Sequence, residues 1–468
     1  MYPFSKIIFS LLLLFTFRLS GQGLFEQSLS QNDSSKNNLL HINGFVRTDG
    51  YLSKIKEGND FYFQSLYSQL GLITEVNAGK FGNAYAEFRF RTGTEFSSKI
   101  QNIELREAYT ALYHGPLSIK AGKQIITWGA SSFINPTDQF SPQDPTYRSP
   151  DNDDLHLASR ALNTRFEITS NSYFQLIWIP VYTPSVLITK ALRFPEYIEF
   201  GKDIEPGMQI REGNVGFRYD LRSKVMDVQL SYFKGYRNTR SIKSDTAIFN
   251  FTSLQPDLIR LVKAPYRINS AGINLVIPIG RSLFRTEAAW MDPVKSNNHP
   301  DPSPELAYTT EIEHSGQHIT LIAGYYGKYI FSFKKLDYNP QGLTGEFPDL
   351  SSIIPENTPF DPSYVTAYFD TQLSGFNRLY NYQDKEFYHS AYAILKISMF
   401  HELLNMEIPS MYNFSTDELT LIPSLKFNIT DGLSFKIGVY YMHGGINSLY
   451  DLIGPELNAG YGQLKILF

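Results

Sequence analysis

The chain has 468 residues, a formal net charge of −4 at pH 7 and no cysteine. This charge is too small to indicate a nucleic-acid partner, and the lack of cysteine excludes disulfides and thiolate metal sites. Phe, Tyr and Trp make up 15% of the residues while the mean hydropathy is only −0.24, which excludes a bundle of apolar transmembrane helices.

The N-terminal residues 1–21 predict a secretory signal peptide. Lys6 precedes an apolar run over residues 7–17, and small and polar residues follow at 20–23. The run is shorter than the roughly 20 residues that a membrane-spanning helix needs, so we expect cleavage near 21–23. The alternative is a short buried helix. The polar segment that follows, residues 22–39, predicts a disordered periplasmic lead-in.

From residue 40 onward, segments of about ten residues alternate between apolar and polar side chains. In residues 82–93, for example, Phe88 and Phe90 share one face while Arg89 and Arg91 share the other. Only every second residue of a barrel strand faces lipid, which reconciles many aromatic residues with low hydropathy. Residues 40–468 therefore predict an all-β fold, a transmembrane antiparallel up-and-down β-barrel of about 18 strands, with 16 as the alternative count.

The lengths of the connections support a barrel over a β-sandwich, which alternates in the same way. Short turns and long loops follow one another, as in outer-membrane barrels with periplasmic turns and extracellular loops. The short turns are expected at 77–82, 114–116, 170–172, 222–224, 279–282, 315–317, 401–405 and 430–432. The long loops are expected at 130–160, 184–212, 238–266, 292–304, 334–384 and 444–457.

Charges of both signs recur on the face assigned to the lumen. The predicted pore-lining residues are Glu87, Arg89, Arg91, Glu104, Arg106, Arg165, Glu167, Arg218, Asp220, Arg285, Glu287 and Lys436. A barrel of 16–18 strands encloses a water-filled channel, in which such charges stay solvated and ionised. They either keep a wide pore wet or form cross-strand pairs, or they form a specific substrate ladder. Three arginines on early strands, Arg89, Arg91 and Arg106, could form one basic stripe.

The loop at 130–160 contains four prolines, which stiffen it, and long ordered loops are usually functional. We expect it to fold into the lumen and narrow the channel, with a cap on the extracellular rim as the alternative. The predicted constriction residues are Trp128, Asn135, Asp138, Asp144, Arg148, Asp151, Asp153 and Asp154. A calcium site among the last acids would suit oxygen ligands, but their spacing matches no known loop motif.

The segment "LREAYTALYHGPLSIKAGKQIITWGASSFINPTD" (105–138) resembles a segment shared by porin-like outer-membrane families, namely the alginate-export porins and the DUF1302-type barrels. The resemblance implies an outer-membrane channel or a transport-associated barrel without catalytic residues. The matching positions are Arg106, Glu107, Lys123, Gln124, Trp128, Gly129, Asn135 and Pro136. Simple alternation turns Lys123 towards lipid, and a bulge at Gly122 would re-aim it.

The C-terminal residues 459–468 alternate and end on Phe468. A closed barrel needs its last strand to pair with its first, so we expect this segment to close the sheet. A terminal phenylalanine after alternating apolar residues also resembles the signal that the barrel-assembly machinery reads.

Residue patterns typical of enzymes are missing from the sequence. The nine histidines are scattered, and neither G-x-S-x-G nor H-E-x-x-H occurs. We expect no reaction, no cofactor and no metal. The expected function is passive diffusion of small hydrophilic solutes across the outer membrane of a Gram-negative-type bacterium, in contact with its lipid and with a homotrimer as one assembly. The alternatives are a specific transporter, a transport-associated barrel, or a surface scaffold or adhesin on a closed barrel.

Overall fold

The computed structural model describes residues 39–54, 60–188, 192, 194–250, 255–294, 302–340, 343, 353 and 361–468. The predicted signal peptide at 1–21 and all but the last residue of the predicted lead-in at 22–39 lie outside the described residues. Parts of the predicted loops at 184–212, 238–266, 292–304 and 334–384 lie outside them as well.

The strands follow the alternation of the sequence. They are β1 (Leu40–Lys54), β2 (Phe61–Asn77), β3 (Gly82–Glu95), β4 (Ser98–His114), β5 (Leu117–Gln124), β6 (Ser159–Thr169), β7 (Ser172–Ile179), β8 (Ile198–Phe200), β9 (Asn214–Arg222), β10 (Asp227–Tyr236), β11 (Ser241–Asn250), β12 (Gln255–Ala264), β13 (Arg267–Ile279), β14 (Ser282–Pro293), β15 (Glu305–Ser315), β16 (Ile319–Ile330), β17 (Phe387–Met399), β18 (Leu404–Asn413), β19 (Glu418–Leu421), β20 (Ser424–Asn428), β21 (Leu433–His443) and β22 (Ala459–Leu467). Two α-helices with described bounds accompany them, α1 (Pro362–Tyr380) and α2 (Leu449–Leu457).

Eighteen of these strands form one closed antiparallel barrel. β19 and β20 both pair with β18 and β21, so they count as one interrupted strand. β8, β11 and β12 form a separate small sheet outside the wall. The predicted fold class and the predicted count of about 18 strands are confirmed.

The barrel closes where the last strand meets the first. β22 pairs with β1 from Leu467 opposite Phe45 to Gly460 opposite Leu52. Beyond this register, the backbones of Gly44 and Phe468 exchange two hydrogen bonds of 2.8 and 3.0 Å. The expected pairing of the C-terminal segment is confirmed, while the role of Phe468 as an assembly signal stays a prediction.

The two rims of the barrel differ in the length of their connections. Tight turns join β2 to β3, β4 to β5, β6 to β7, β9 to β10, β13 to β14, β15 to β16, β17 to β18 and β20 to β21, at the eight predicted positions. We call this end the short-turn rim. The opposite end, the long-loop rim, carries the long connections and two tight turns, between β3 and β4 and between β18 and β19.

The outer wall of the barrel exposes apolar side chains and the inner wall buries charges. Phe88 and Phe90 are 40% and 37% exposed, whereas Glu87 and Arg89 between and beside them are buried. Leu464 and Ile466 on β22 repeat this outward pattern. A wall of exposed leucine, isoleucine and phenylalanine around the whole barrel is the surface that hydrocarbon would cover.

Four connections at the long-loop rim share one hydrophobic core. They are the β7–β9 connection, the β11–β12 hairpin, the β16–β17 connection with α1, and the β21–β22 connection with α2. We call this core the mouth cluster; its buried members are Leu187, Ile188, Leu192, Ile198, Ile242, Ile259, Leu261, Leu343, Phe369, Leu373, Phe376, Leu379, Leu449, Ile453 and Leu457. Because the connections start from separate places around the barrel, their shared core lies across the opening.

Side-chain hydrogen bonds reinforce the mouth cluster. Asn377 of α1 accepts from the backbone of Ile242 at 2.8 Å and donates to it at 2.7 Å. Asp361 caps the start of α1, because its carboxylate accepts from the Ser363 amide at 2.9 Å, and Pro362 follows as the first residue of the helix. Among the described helices, neither is long and apolar enough to cross a membrane.

Candidate functional site

Residues 125–158, which connect β5 to β6, leave the wall and contact the inner side of distant strands. We call them the inward loop. One part of the loop binds carboxylates on β14 and β15, and another part binds arginines and lysines on β1, β3, β21 and β22. The loop therefore folds into the lumen, as predicted, and its role as a constriction stays a prediction.

Glu287 on β14 holds the first half of the inward loop. Its carboxylate accepts hydrogen bonds from the amides of Ala130 and Ser131, the latter at 2.6 Å, and from the Thr137 hydroxyl at 3.0 Å. A buried carboxylate is stable only when such donors surround it. Glu287 thus exchanges its water shell for the backbone of the loop.

Glu311 on β15 continues this anchor. It accepts from the amide and the hydroxyl of Ser132 at 3.1 and 2.9 Å, and from the Tyr392 hydroxyl at 2.7 Å. Arg285 bridges Glu311 and Glu313 at 2.7 and 2.6 Å. The predicted pore-lining residues Arg285 and Glu287 therefore both contact the loop, Arg285 through the Ser132 hydroxyl at 3.3 Å.

Asp154 holds the second half of the inward loop to the opposite wall. Its carboxylate lies 2.7 Å from the guanidinium groups of both Arg47 on β1 and Arg89 on β3. Burial alone would raise the pKa of Asp154, but the two arginines outweigh it and hold the pKa below its ordinary range. Arg106 donates to the backbone oxygens of Asp153 and Asp154 at 2.5 and 3.3 Å.

Arg148 connects the inward loop to the mouth cluster. Its guanidinium donates to the carbonyl of Leu457, the last residue of α2, at 2.8 Å, while its amide donates to Glu95 at 2.9 Å. Arg91 donates to the Arg148 carbonyl at 3.1 Å and lies over the ring of Tyr67. The inward loop and the mouth cluster are thus joined by buried polar contacts.

Lysines from the last two barrel strands bind the loop at Pro150 and Asp151. Lys436 donates to the Pro150 carbonyl at 2.8 Å and lies 3.8 Å from Asp151. Lys465 forms a closer ion pair with Asp151, at 3.0 Å. The predicted acids at 151 and 154 are therefore neutralised by cations of the wall, whereas the Asp153 side chain is exposed.

An aromatic core fixes the start of the inward loop. Trp128 packs edge-on against Phe140, which packs edge-on against Phe233 of β10. Gly129 has φ +112°, and a Cβ there would lie 2.3 Å from the side-chain oxygen of Asn135. This close approach gives the "WG" and "NP" positions of the sequence a physical reason, because only glycine fits such a site.

Asp138 and Asp144 shape the loop through its own backbone. Asp138 accepts from the Phe140 amide at 3.2 Å, and Asp144 accepts from the amide and the hydroxyl of Thr146 at 2.9 and 2.6 Å. Burial is the main cause that raises the pKa of Asp138 to about 7. Asp138 therefore changes its charge near neutral pH.

The predicted pore-lining residues divide into two groups by exposure. Those beside the inward loop, including Glu87, Arg89 and Arg106, are buried in ion pairs and hydrogen bonds rather than solvated. Near the short-turn rim, Arg165 and Glu167 remain 41% and 55% exposed at the side chain. The expectation of general solvation was wrong for the first group, because the loop replaces its water.

Arg218 and Asp220 on β9 form a network near the same rim. Arg218 donates to the Tyr173 hydroxyl at 2.9 Å, and Tyr173 donates to Asp220 at 2.9 Å. Gln229 donates to the same carboxylate at 2.8 Å. Asp220 is fully buried by these partners, and the pore-lining role of the predicted set stays a prediction.

Two cavities flank the inward loop. One of about 270 Å³ lies against β2–β4 and is lined by Arg89, Arg91, Glu104 and Tyr147 among others. The other, of about 260 Å³, lies towards β14–β16 and includes Asp138.

The second cavity contains a charged group that was not among the predicted residues. Glu305 is fully buried and pairs with Lys328 at 2.7 Å and with Arg237 at 3.1 Å. Arg47, the partner of Asp154, was missed too. The available signal was that Arg47 directly follows Val46, an apolar residue that faces outward. Neighbouring residues of a strand face opposite sides, so Arg47 faces the lumen.

The comparisons with known proteins agree with this architecture. The protein family of unknown function DUF1302 matches residues 14–186, less than half of the chain, and this range includes the segment 105–138. A comparison with curated proteins gives no match.

Solved structures of similar fold cover nearly the whole chain. OccAB4 of Acinetobacter baumannii is 10% identical, with a TM-score of 0.52 over 91% of this chain and 97% of that chain. OccAB3 of the same organism is 8% identical, with a TM-score of 0.52 over 92% and 98%. OccK3 (OpdO) of Pseudomonas aeruginosa is 10% identical, with a TM-score of 0.51 over 92% and 95%. The chain shares the barrel fold of these proteins.

Proposed function

We propose that this protein is a porin-like outer-membrane channel for the passive diffusion of small hydrophilic solutes. The observation that carries the proposal is the inward loop, which charged groups hold against two sides of an 18-stranded lumen. A barrel of this size encloses an aqueous channel, and a fixed loop inside it reduces the free cross-section. Selection would then follow from size exclusion and from the charges beside the two cavities.

The outer wall supports a location in the outer membrane of a Gram-negative-type bacterium. Exposed apolar side chains surround the barrel, and tight turns occupy one rim. In outer-membrane barrels such turns face the periplasm and the long loops face outward. The resemblance to alginate-export porins, the barrel-assembly machinery as partner and a homotrimer belong to this proposal as predictions. The proposal includes no reaction and no cofactor.

The mouth cluster favours a second candidate, a gated or substrate-specific transporter. Its fifteen buried apolar residues join four connections across the long-loop rim. Separating them would expose that surface to water, so an open mouth needs a compensating partner or solute. A surface scaffold would use the same connections as its binding face.

Single-channel recording of the refolded mature protein in a planar bilayer tests the proposal. Steady conductance steps in simple salt support a channel. Heat-modifiable gel mobility confirms that the sample is folded. Folded protein that stays silent would contradict passive diffusion. A Phe369→Asp/Leu373→Asp variant, which disrupts the mouth cluster, then separates the candidates: a channel that opens only in this variant supports the gated transporter.

A further inference from the structure

The barrel wall has a step at β4. This strand spans Ser98–His114, but β5 pairs only with the part nearer the short-turn rim, Ala108–His114. The chain leaves the wall after Gln124 to form the inward loop. Among the described strands, none pairs with residues 98–107 on the side away from β3. Residues 98–107 of β4 are therefore a local edge of the sheet, because the neighbouring strands β5, β6 and β7 are shorter.

A notch on the outer face marks this step. It encloses a cavity of about 470 Å³, lined by Leu105, Ala108, Leu162, Trp178 and Pro180 among others. Ile103 on the open edge is 72% exposed, against 37% for Phe90, its register partner on β3. The notch is thus an apolar groove that opens into the lipid-facing surface.

Two cations stand at the notch. Lys123 and Arg160 are register partners on β5 and β6 and face outward, as does the next residue on that face of β6, Leu162. The predicted bulge at Gly122 was wrong: the register is continuous there, and the bulge lies in β4 around Arg106. Lys123 thus keeps its outward face and donates to the edge carbonyl of Leu105 at 2.5 Å.

Within the described part of the chain, no carboxylate forms an ion pair with Lys123 or Arg160; Glu104 and Glu107 attract Lys123 electrostatically without contacting it. Like charges directly opposite on two strands repel, and cations on a lipid-facing wall are costly. Apolar residues continue beyond them towards the long-loop rim, Leu105 and Ile103 on β4, so the pair lies inside the apolar belt. The repulsion between the two cations and the cost of placing them in the apolar belt would both be reduced by a bound anion.

We propose that the notch binds a phosphorylated membrane lipid, whose phosphate bridges Lys123 and Arg160 and whose acyl chain fills the apolar groove. Arginine binds phosphate through its planar fork and lysine adds a point charge. An acyl chain suits an apolar groove that opens into the lipid-facing surface. The proposal rests on the membrane location of the barrel and is independent of conduction.

Tryptophan quenching by brominated lipids tests this site. Trp178 lines the notch, Trp290 on β14 is 41% exposed on the outer wall, and Trp128 is buried. The Trp290→Phe variant therefore reports Trp178, and the Trp178→Phe variant reports Trp290. Each is reconstituted in phosphatidylcholine vesicles that contain a minor fraction of dibrominated phosphatidylglycerol or, for comparison, dibrominated phosphatidylcholine. Gel mobility before and after heating confirms folding in every sample.

Each cation near an anionic head group favours it by a factor of about five, so we expect phosphatidylglycerol to be enriched about tenfold or more at Trp178 and not at Trp290. The Lys123→Gln/Arg160→Gln variant should abolish the enrichment. Lys80→Gln/Lys224→Gln, which removes the same charge at the short-turn rim, should preserve it.

Equal quenching by both brominated lipids at Trp178 would overturn the proposal. So would a preference that survives loss of both notch cations. Protection of Trp178 from both lipids would also overturn it and would indicate a second copy of the chain, or another protein, over the notch.

Discussion

Replacing Glu287 by alanine should release the inward loop from the far wall. The carboxylate accepts three hydrogen bonds from the loop, from the amides of Ala130 and Ser131 and the hydroxyl of Thr137. Hydrogen bonds to a charged group contribute about 1.5–3 kcal/mol each, and the cost of burying the carboxylate offsets part of this. We therefore expect docking to weaken by about 3 kcal/mol, which raises the undocked population about 100-fold.

Single-channel recording measures this population as time spent at high conductance. Glu407→Ala is the matched control, because it removes a carboxylate paired with Lys396 at 3.3 Å, 43% exposed, without touching the loop. Frequent high-conductance excursions are expected in Glu287→Ala alone. If both variants record like the parent protein, the inward loop does not narrow the conducting path and the reasoning is refuted.

Three further predictions concern the same loop. Asp154→Asn leaves the charges of two buried arginines without their carboxylate partner, so docking of the loop should weaken by about 3–5 kcal/mol and proteolysis within the loop should accelerate. Cleavage at the parent rate would show that Asp154 does not hold the loop to the wall. Because the pKa of Asp138 is raised to about 7, its protonated form is favoured in the folded state, and loop stability should fall as pH rises from about 4 to about 7. Asp138→Asn should flatten this pH dependence, which single-channel recording measures as the time spent at high conductance at each pH. Gly129→Ala, with its positive φ and a Cβ contact of 2.3 Å, should destabilise the loop start, while Gly460→Ala, with no atom within 4 Å of its Cβ, should not; equal urea midpoints for the two would refute the close-packing argument.

The barrel was largely predictable because its signals are local. Period-2 alternation decides which side chains face lipid, and turn residues punctuate it, so the strand count and all eight short turns followed from the sequence. The direction of the inward loop was also predicted, from its length and prolines. Its binding partners were not, since Glu287 and Glu311 lie more than 150 residues away and only the closed barrel brings them near.

The mouth cluster was missed for a similar reason. Residues 238–266, 334–384 and 444–457 were predicted to be loops, yet they contain the β11–β12 hairpin, α1 and α2. Asp361 followed by proline was a usable start signal for α1. The apolar residues of the hairpin and of α2 are buried in the mouth cluster by segments that are distant in sequence. Burial of this kind leaves little periodicity in a short segment.

The pairing of β1 with β22 sets the order of events during biogenesis. Gln463 donates to Asp49 at 2.8 Å across 414 residues of chain. Contacts of such high sequence separation form last, because the entropy of ordering the intervening chain must be overcome first. Until then the two terminal strands are open β-edges, ready to pair with any other strand. The wall can therefore seal only after the whole chain is present, and both edges need shielding until then.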